Sequence, residues 1–351
     1  MIQISPETQL FIREHSSDDV RALALQAKKY PDINMPTAIT QIAGRQVAAE
    51  KIPSWREIEE IWYPKHLSLE QCSSEITARY KARLFQGDSL IDLTGGFGID
   101  CSFLATGFKT ATYVERQEEL CEIAAHNFPI LNLNHINVRN EDGVAYLQSM
   151  SPVDCIFLDP ARRNEHGGKT VAISDCEPNV AELEALLLSK ANRVMIKLSP
   201  MLDLSLALKE LKHTQEIHIL SVNNECKELL ILLGQTSPAE IAIHCVNLLT
   251  KGTQEEQHLV FTREQEQRSQ CTYTDSLGNY LYEPNASLLK AGAFRSIAAA
   301  YPVRKLHPNS HLYTSDSFIE NFPGRIFRIV NQCSFNKKEV KENLADLKKA
   351  N

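Results

Sequence analysis

Three acids stand where three successive apolar segments end: Asp92 in "SLIDLTGGFGID", Glu115 in "ATYVERQ" and Asp142 in "INVRNEDGVAYL". Carboxylates placed in this way can hold a ligand that carries cations and hydroxyls. Gly95, Gly96 and Gly98 follow the first acid and let a ligand press against the backbone. A pyrophosphate is repelled by a carboxylate at that place, whereas an ammonium or a sulfonium is attracted. Asp92 therefore fits S-adenosylmethionine better than a dinucleotide. The dinucleotide fingerprint is also incomplete, because counting from Gly96 its third glycine falls on Cys101. Glu115 can accept both ribose hydroxyls, a need that NAD shares. Asp142 can accept from an adenine amino group, although an Asp before Gly143 also reads as a helix cap. Thr94, Phe97, Arg116 and Gly143 complete the expected cofactor set.

A fourth apolar segment, "VDCIFLD", ends in Asp159-Pro160 and runs on as "ARRNEHGGK". Asp-Pro is an ordinary turn former, but on a strand beside a cofactor site it can also accept hydrogen bonds from a target amino group. Arg162 and Arg163 are then placed to hold the phosphates of an RNA strand. Lys197 and Ser199, after a fifth apolar segment, border the same pocket and are expected to touch substrate. Cys176 has no recognisable base beside it; Ser73, Ser74 and Thr77 precede the first strand, where such a site closes over the methionine end of its cofactor, and the two serines read as caps. His307, Asn309 and His311 show no ligand spacing with an acid, so no metal is expected.

The elements that position these residues follow from periodicity. From residue 89 to about 235, strand-length apolar runs alternate with helical patterns, which implies βαβ units and a parallel sheet. Only "NNECK" separates the last two strands, too little for a crossover helix, so the final strand is expected to be antiparallel. The predicted fold class is α/β, with a seven-stranded Rossmann-like sheet of the methyltransferase type. Residues 1–85 form a helical N-terminal region, 86–236 the methyltransferase domain, and 237–351 a small α+β region. "SLEQCSSEITARYKARLF" and "EPNASLLKAGAFRSIAAAY" each read as one helix; "AEIAIHCVNLL" and "EEQHLVFTRE" read as strands of the small region.

The composition narrows the class of protein. The 351 residues are 43% hydrophobic, with apolar runs far shorter than the ~20 residues of a membrane span. No basic segment followed by an apolar one opens the chain, and nine scattered cysteines never form CxxC. A cytoplasmic protein with reduced thiols is expected. The net charge of −7 is uneven: residues 286–351 hold 11 Lys and Arg against 5 Asp and Glu. A basic end on an acidic body points to a polyanion bound there, and a solvated helix face explains it about as well.

The fragments "EQCSSEITARYKA", "DLTGGFGID", "LDPARR", "KLSPMLD", "NASLLKAGAF" and "KLHPNSHLYTS", in that order, resemble the bacterial class I S-adenosylmethionine-dependent methyltransferases with a THUMP-like C-terminal region. The resemblance implies S-adenosylmethionine as cofactor and a ferredoxin-like module after the methyltransferase domain. It further implies the start of a THUMP-like region and a tRNA or rRNA substrate. Asp159-Pro160 is similar to the Asp/Asn-Pro-Pro-Tyr motif of nucleobase methyltransferases, but Ala161 and Arg162 replace its last two residues, which leaves no aromatic there to stack on a base. Two other readings remain: a NAD-dependent oxidoreductase, and a non-catalytic RNA-binding protein on a relic methyltransferase fold.

Overall fold

The computed structural model describes residues 4–162, 172–251, 255–334 and 336–345. Six helices open the chain: α1 (Pro6–Glu14), α2 (Val20–Leu25), α3 (Met35–Lys51), α4 (Pro53–Arg56), α5 (His66–Gln71) and α6 (Glu75–Leu84). Side chains that prefer caps start several of them: Ser5, Asp19 and Asn34 accept from backbone N–H groups in the first turns of their helices. The single helix expected over "SLEQCSSEITARYKARLF" is two, broken at Cys72–Ser74. Ser73 leaves the helical path because its hydroxyl is drawn inward to Asp100 and Lys81.

Alternation then sets in: β1 (Gly87–Asp92), α7 (Ile99–Leu104), β2 (Phe108–Glu115), α8 (Glu118–Ile130), β3 (Ile136–Asn140), α9 (Gly143–Ser149) and β4 (Val153–Leu158). A short ribbon, β5 (Ala161–Arg162) with β6 (Cys176–Glu177), precedes α10 (Val180–Lys190), β7 (Ala191–Leu198), α11 (Leu204–Glu210), β8 (Thr214–Val222) and β9 (Glu225–Gly234). β1 pairs in parallel with β2 and β4, β2 with β3, and β4 with β7. β9 runs antiparallel to β7, as the short connection before it requires. The order β3-β2-β1-β4-β7-β9-β8 reverses direction beside β1. Such a switch opens a crevice at the carboxyl ends of the strands.

Contacts divide the chain into two units, Met1–Glu216 with Leu229–Pro238, and Ile217–Glu228 with Ala239–Asn351. In the first, the N-terminal helices share a core with the sheet domain: Trp55, Tyr63, Phe97, Ile99 and Ile123 form one buried cluster.

The second unit holds the tip of the β8–β9 hairpin, β10 (Ala242–Leu248), β11 (Glu256–Phe261), α12 (Arg263–Arg268), β12 (Tyr280–Pro284), α13 (Ala286–Ala291), α14 (Phe294–Ala300), β13 (Arg304–Lys305), β14 (Tyr313–Ser315), β15 (Gly324–Arg328) and α15 (Lys337–Leu344). β10 and β11, expected in the small region's own sheet, instead line up beside β8, while the small sheet is β13-β14-β12-β15. The helix expected over "EPNASLLKAGAFRSIAAAY" is also two, parted at Gly292, whose φ of +74° ends α13. Among the described residues no helix is long and apolar enough to cross a membrane.

Candidate active site

β1 delivers Asp92 to the crevice with 1% of its surface exposed. Its Oδ1 accepts from the Thr94 N–H at 3.0 Å, and its buried Oδ2 has no hydrogen-bond partner among the described residues. Burial, with Asp100, Asp159 and Glu115 nearby, pushes this carboxyl well above the usual range. A buried acceptor of this kind calls for a donor, and a cationic one restores its charge.

The turn after Asp92 passes through Gly96 and Gly98, at φ +54° and +86°, conformations that suit glycine. Glu115, 9% exposed at the end of β2, grips this turn by accepting from the Gly96 N–H at 2.9 Å. Its other oxygen accepts from the Gln117 N–H at 2.8 Å. Beneath the turn, the fully buried Tyr113 donates its hydroxyl to the Gly96 carbonyl. Gly143 closes the cradle from the third strand's end, where a Cβ would collide with the Leu93 carbonyl oxygen.

The other expected cofactor residues divide. Thr94 Oγ1 accepts from the Asp159 N–H at 2.6 Å and so ties the β1 turn to the end of β4. Gly95 N–H donates to the Val114 carbonyl at 2.9 Å and anchors the turn on β2. Asp142 is exposed and caps α9, one carboxylate oxygen accepting from the Val144 and Ala145 N–H groups at 2.9 and 3.0 Å. Arg116 is exposed, with Nη1 3.8 Å from a carboxylate oxygen of Glu177. Phe97 departs from expectation: its ring, 4% exposed, stacks edge-on against Trp55 at 5.4 Å and belongs to the core. An apolar ring at that place gains more from the helical cluster than from a polar ligand.

A chain of charges runs inward from Asp159, which lies just past β4 with about a third of its side chain open (35%). Its Oδ2 accepts from Lys197, whose Nζ also stands 3.4 Å from Asp100 Oδ2. Asp100, on α7, meets Lys81 Nζ at 2.9 Å and accepts from the Ser73 hydroxyl at 2.7 Å. Burial alone raises Asp100, but the ammonium groups of Lys81 and then Lys197 outweigh it and hold the carboxyl at about 2. Asp159 moves upward, desolvation exceeding the pull of Lys197.

Lys197 was expected to touch RNA. In the structure it is 8% exposed and engaged by two carboxylates. Ser199 is half-buried in the turn after β7, its hydroxyl oxygen accepting from the Met201 N–H at 3.3 Å. Pro160 is buried, and Arg162 contributes backbone to the β5–β6 ribbon; Arg163 lies outside the described residues. Reasoning on sequence missed Lys81, Asp100, Ser73 and Tyr113 as parts of the site. One signal was available: Lys81 continues the buried face of Thr77 and Ala78 at helical spacing, where a lysine needs a partner.

The strand order, the reversed last strand and the acids around the glycine turn are those of a Rossmann-like methyltransferase, and the chain belongs to the class I S-adenosylmethionine-dependent methyltransferases. It is 34% identical to a protein from Porphyromonas gingivalis W83 whose crystal structure is provisionally described as a methyltransferase. That likeness covers 98% of this chain and 87% of the other with a TM-score of 0.84. Residues 56–164 match the protein-L-isoaspartate(D-aspartate) O-methyltransferase family, and residues 280–323 match a ferredoxin-like domain. Other solved structures resemble it over less. One is an rRNA methylase from Streptococcus thermophilus, at 14% identity over 45% of this chain and 94% of that one, TM-score 0.34. Another is TrmK of M. capricolum with S-adenosylhomocysteine, at 12% over 46% and 68%, TM-score 0.36. Comparison with curated proteins gives no match.

Proposed function

We propose that this methyltransferase acts on a nucleobase amino group in structured RNA, tRNA or rRNA, with Asp159-Pro160 orienting that group. The observation that carries the reading is Asp159: one carboxylate oxygen is held by buried Lys197 while about a third of the side chain (35%) stays open at the end of β4. S-adenosylmethionine fits the residues present. The unpartnered Asp92 Oδ2 suits its cationic end, and Glu115 and the glycine turn suit its ribose and backbone contacts. When bound, it supplies an electrophilic methyl group. Gly98, Gly143, Asp142 and Arg116 stand around that ligand in this reading, and Thr94 links it to Asp159.

Asp159 and the Pro160 carbonyl accept from the target amino group and aim its lone pair. The proton released as the new N–C bond forms passes to the other oxygen of Asp159, whose raised pKa suits a proton acceptor. Lys197 positions Asp159 and does not meet substrate; Arg162 and Arg163 are kept from the sequence as the residues for the acceptor strand's phosphates, and Ser199 as a substrate contact. Alignment of this sort is worth about 7–11 kcal/mol in well-oriented systems.

RNA is favoured by the basic C-terminal segment and by the second unit's surface. Phe318 and Phe327 are 58% and 44% exposed, and the Arg325 guanidinium lies 5.8 Å from the Phe327 ring. Exposed rings beside arginines suit unpaired bases. The expected division at residues 85 and 236 serves this reading, with the cytoplasm as the compartment that holds such RNA.

The test is methyl transfer from labelled S-adenosylmethionine to RNA taken from cells lacking this chain. Label in a single nucleoside, lost in Asp159→Ala while cofactor binding persists, supports the proposal. Base-labile label on protein would move the acceptor to a carboxylate, the acceptor class named by the family matched over residues 56–164. Cofactor binding without transfer to any RNA would favour the relic fold.

A further inference from the structure

Away from the methyltransferase site, three strands of the second unit each bring a histidine to one face: His218 on β8, His244 on β10 and His258 on β11. In the β10–β11 ladder His244 pairs with Val260 and Val246 with His258, which puts the two histidines diagonally on the same face. The His218 and His244 rings stack at 4.3 Å, and those of His244 and His258 at 5.3 Å. His244 Nδ1 stands 3.2 Å from His258 Nε2, and ring nitrogens of His218 and His244 lie within 4.8 Å of each other. Glu216, two residues before His218 on the same strand, adds a carboxylate on that face.

We propose that this face is a zinc site, with His218, His244 and His258 as ligands and Glu216 as the fourth donor. Imidazole binds zinc through Nε2 or Nδ1 in its neutral form, and here the ring nitrogens of neighbouring histidines already stand close together. Two nitrogens bound to one tetrahedral zinc at about 2.0–2.1 Å are about 3.4 Å apart, close to the distance already held between His244 and His258. Imidazole with one carboxylate selects a borderline divalent ion over calcium or magnesium. The array runs from His218, 2% exposed, to His258 at the surface, which gives an ion a route in. Bound there, the ion ties the edge strand β11 to β10 and β8. The three histidines are 14 or more positions apart in the chain, so no histidine ligand spacing shows in the sequence.

The test uses the full chain, free of any affinity tag and stripped with a chelator, titrated with cobalt(II) and then with zinc. The proposal expects visible absorption of a tetrahedral cobalt site that saturates at one equivalent and is displaced by zinc. It also expects slower amide exchange in β11 on zinc addition. His258→Gln, at an exposed position, should weaken cobalt binding at least about tenfold, and His244→Ala should abolish the absorption. Both variants should keep wild-type circular dichroism and S-adenosylmethionine binding. No saturable binding by the wild type, or binding unchanged in His258→Gln, overturns the site.

Discussion

Asp92 and Asp100 lie eight residues apart and are driven in opposite directions by what surrounds them. Asp92 is buried among acids and rises; Asp100 is buried between two lysines and falls to about 2. The consequences for binding follow the sign of each shift. A proton competes with a cationic ligand for Asp92, so S-adenosylmethionine should bind more tightly as pH rises through the raised range, with proton release. Titration calorimetry in buffers of different ionisation enthalpy reads that proton directly, and pH-independent affinity would contradict the role. Asp92→Asn keeps the shape and removes the charge, and should cost about 1.5–3 kcal/mol of cofactor affinity in the same measurement. Lys81→Met leaves Asp100 with one fewer cation inside the protein. Breaking a buried pair from one side costs about 3–5 kcal/mol, which urea unfolding would show.

At the scale of elements, the site is held by the ends of strands and the starts of helices. Gly143 begins α9 where the backbone of Leu93 leaves no room for a side chain. Gly143→Ala should push the β1 turn away from the third strand's end and weaken cofactor binding, while a change on the exposed face of the same helix such as Ala145→Ser should not. A crystal structure of the variant, or calorimetry on both, decides between a local shift and a general loss of fold. Helix starts were the most legible features of the chain. Asp19, Asn179 and Asn285 are caps where polar residues precede apolar patterns. Helix interruptions were not legible, because Cys72–Ser74 breaks for the sake of Asp100, a residue on another helix. Gly292 carried a signal that periodicity overrode.

For the molecule as a whole, the shift of Asp100 emerges as acid sensitivity. Its contribution is present above the unfolded carboxylate pKa and is lost as pH falls toward about 2; the size is about 2 kcal/mol. Asp92 acts in the opposite sense, adding stability at low pH that fades as pH rises through its raised value. Unfolding followed over the acid range should therefore show a smaller loss of stability below the usual carboxylate range in Asp100→Asn than in the wild type. Charge also governs docking of RNA in the proposed function. Removing Lys337, Lys338 and Lys341 together should reduce the slope of log affinity against log salt by about 0.7 for each single-strand phosphate they neutralise. An unchanged slope would take the terminal helix out of the interface.

Strand and helix alternation, the antiparallel close of the sheet and the acids at the strand ends were determined by sequence alone, since each depends on spacing within a few residues. Glu115 shows this well: its place at a strand end already set it against the glycine turn. Only the tertiary structure decided which charges meet. Lys81, Asp100, Lys197 and Asp159 come from four elements separated by up to 116 positions, and their order along the chain holds no trace of the pairing. The same holds for Phe97, a turn residue by position whose ring the N-terminal helices claim, and for the three histidines that adjoining strands assemble. Local pattern reports what one element does for itself, and long-range packing determines which partners share a low-dielectric interior, where pairing decides both charge and reactivity.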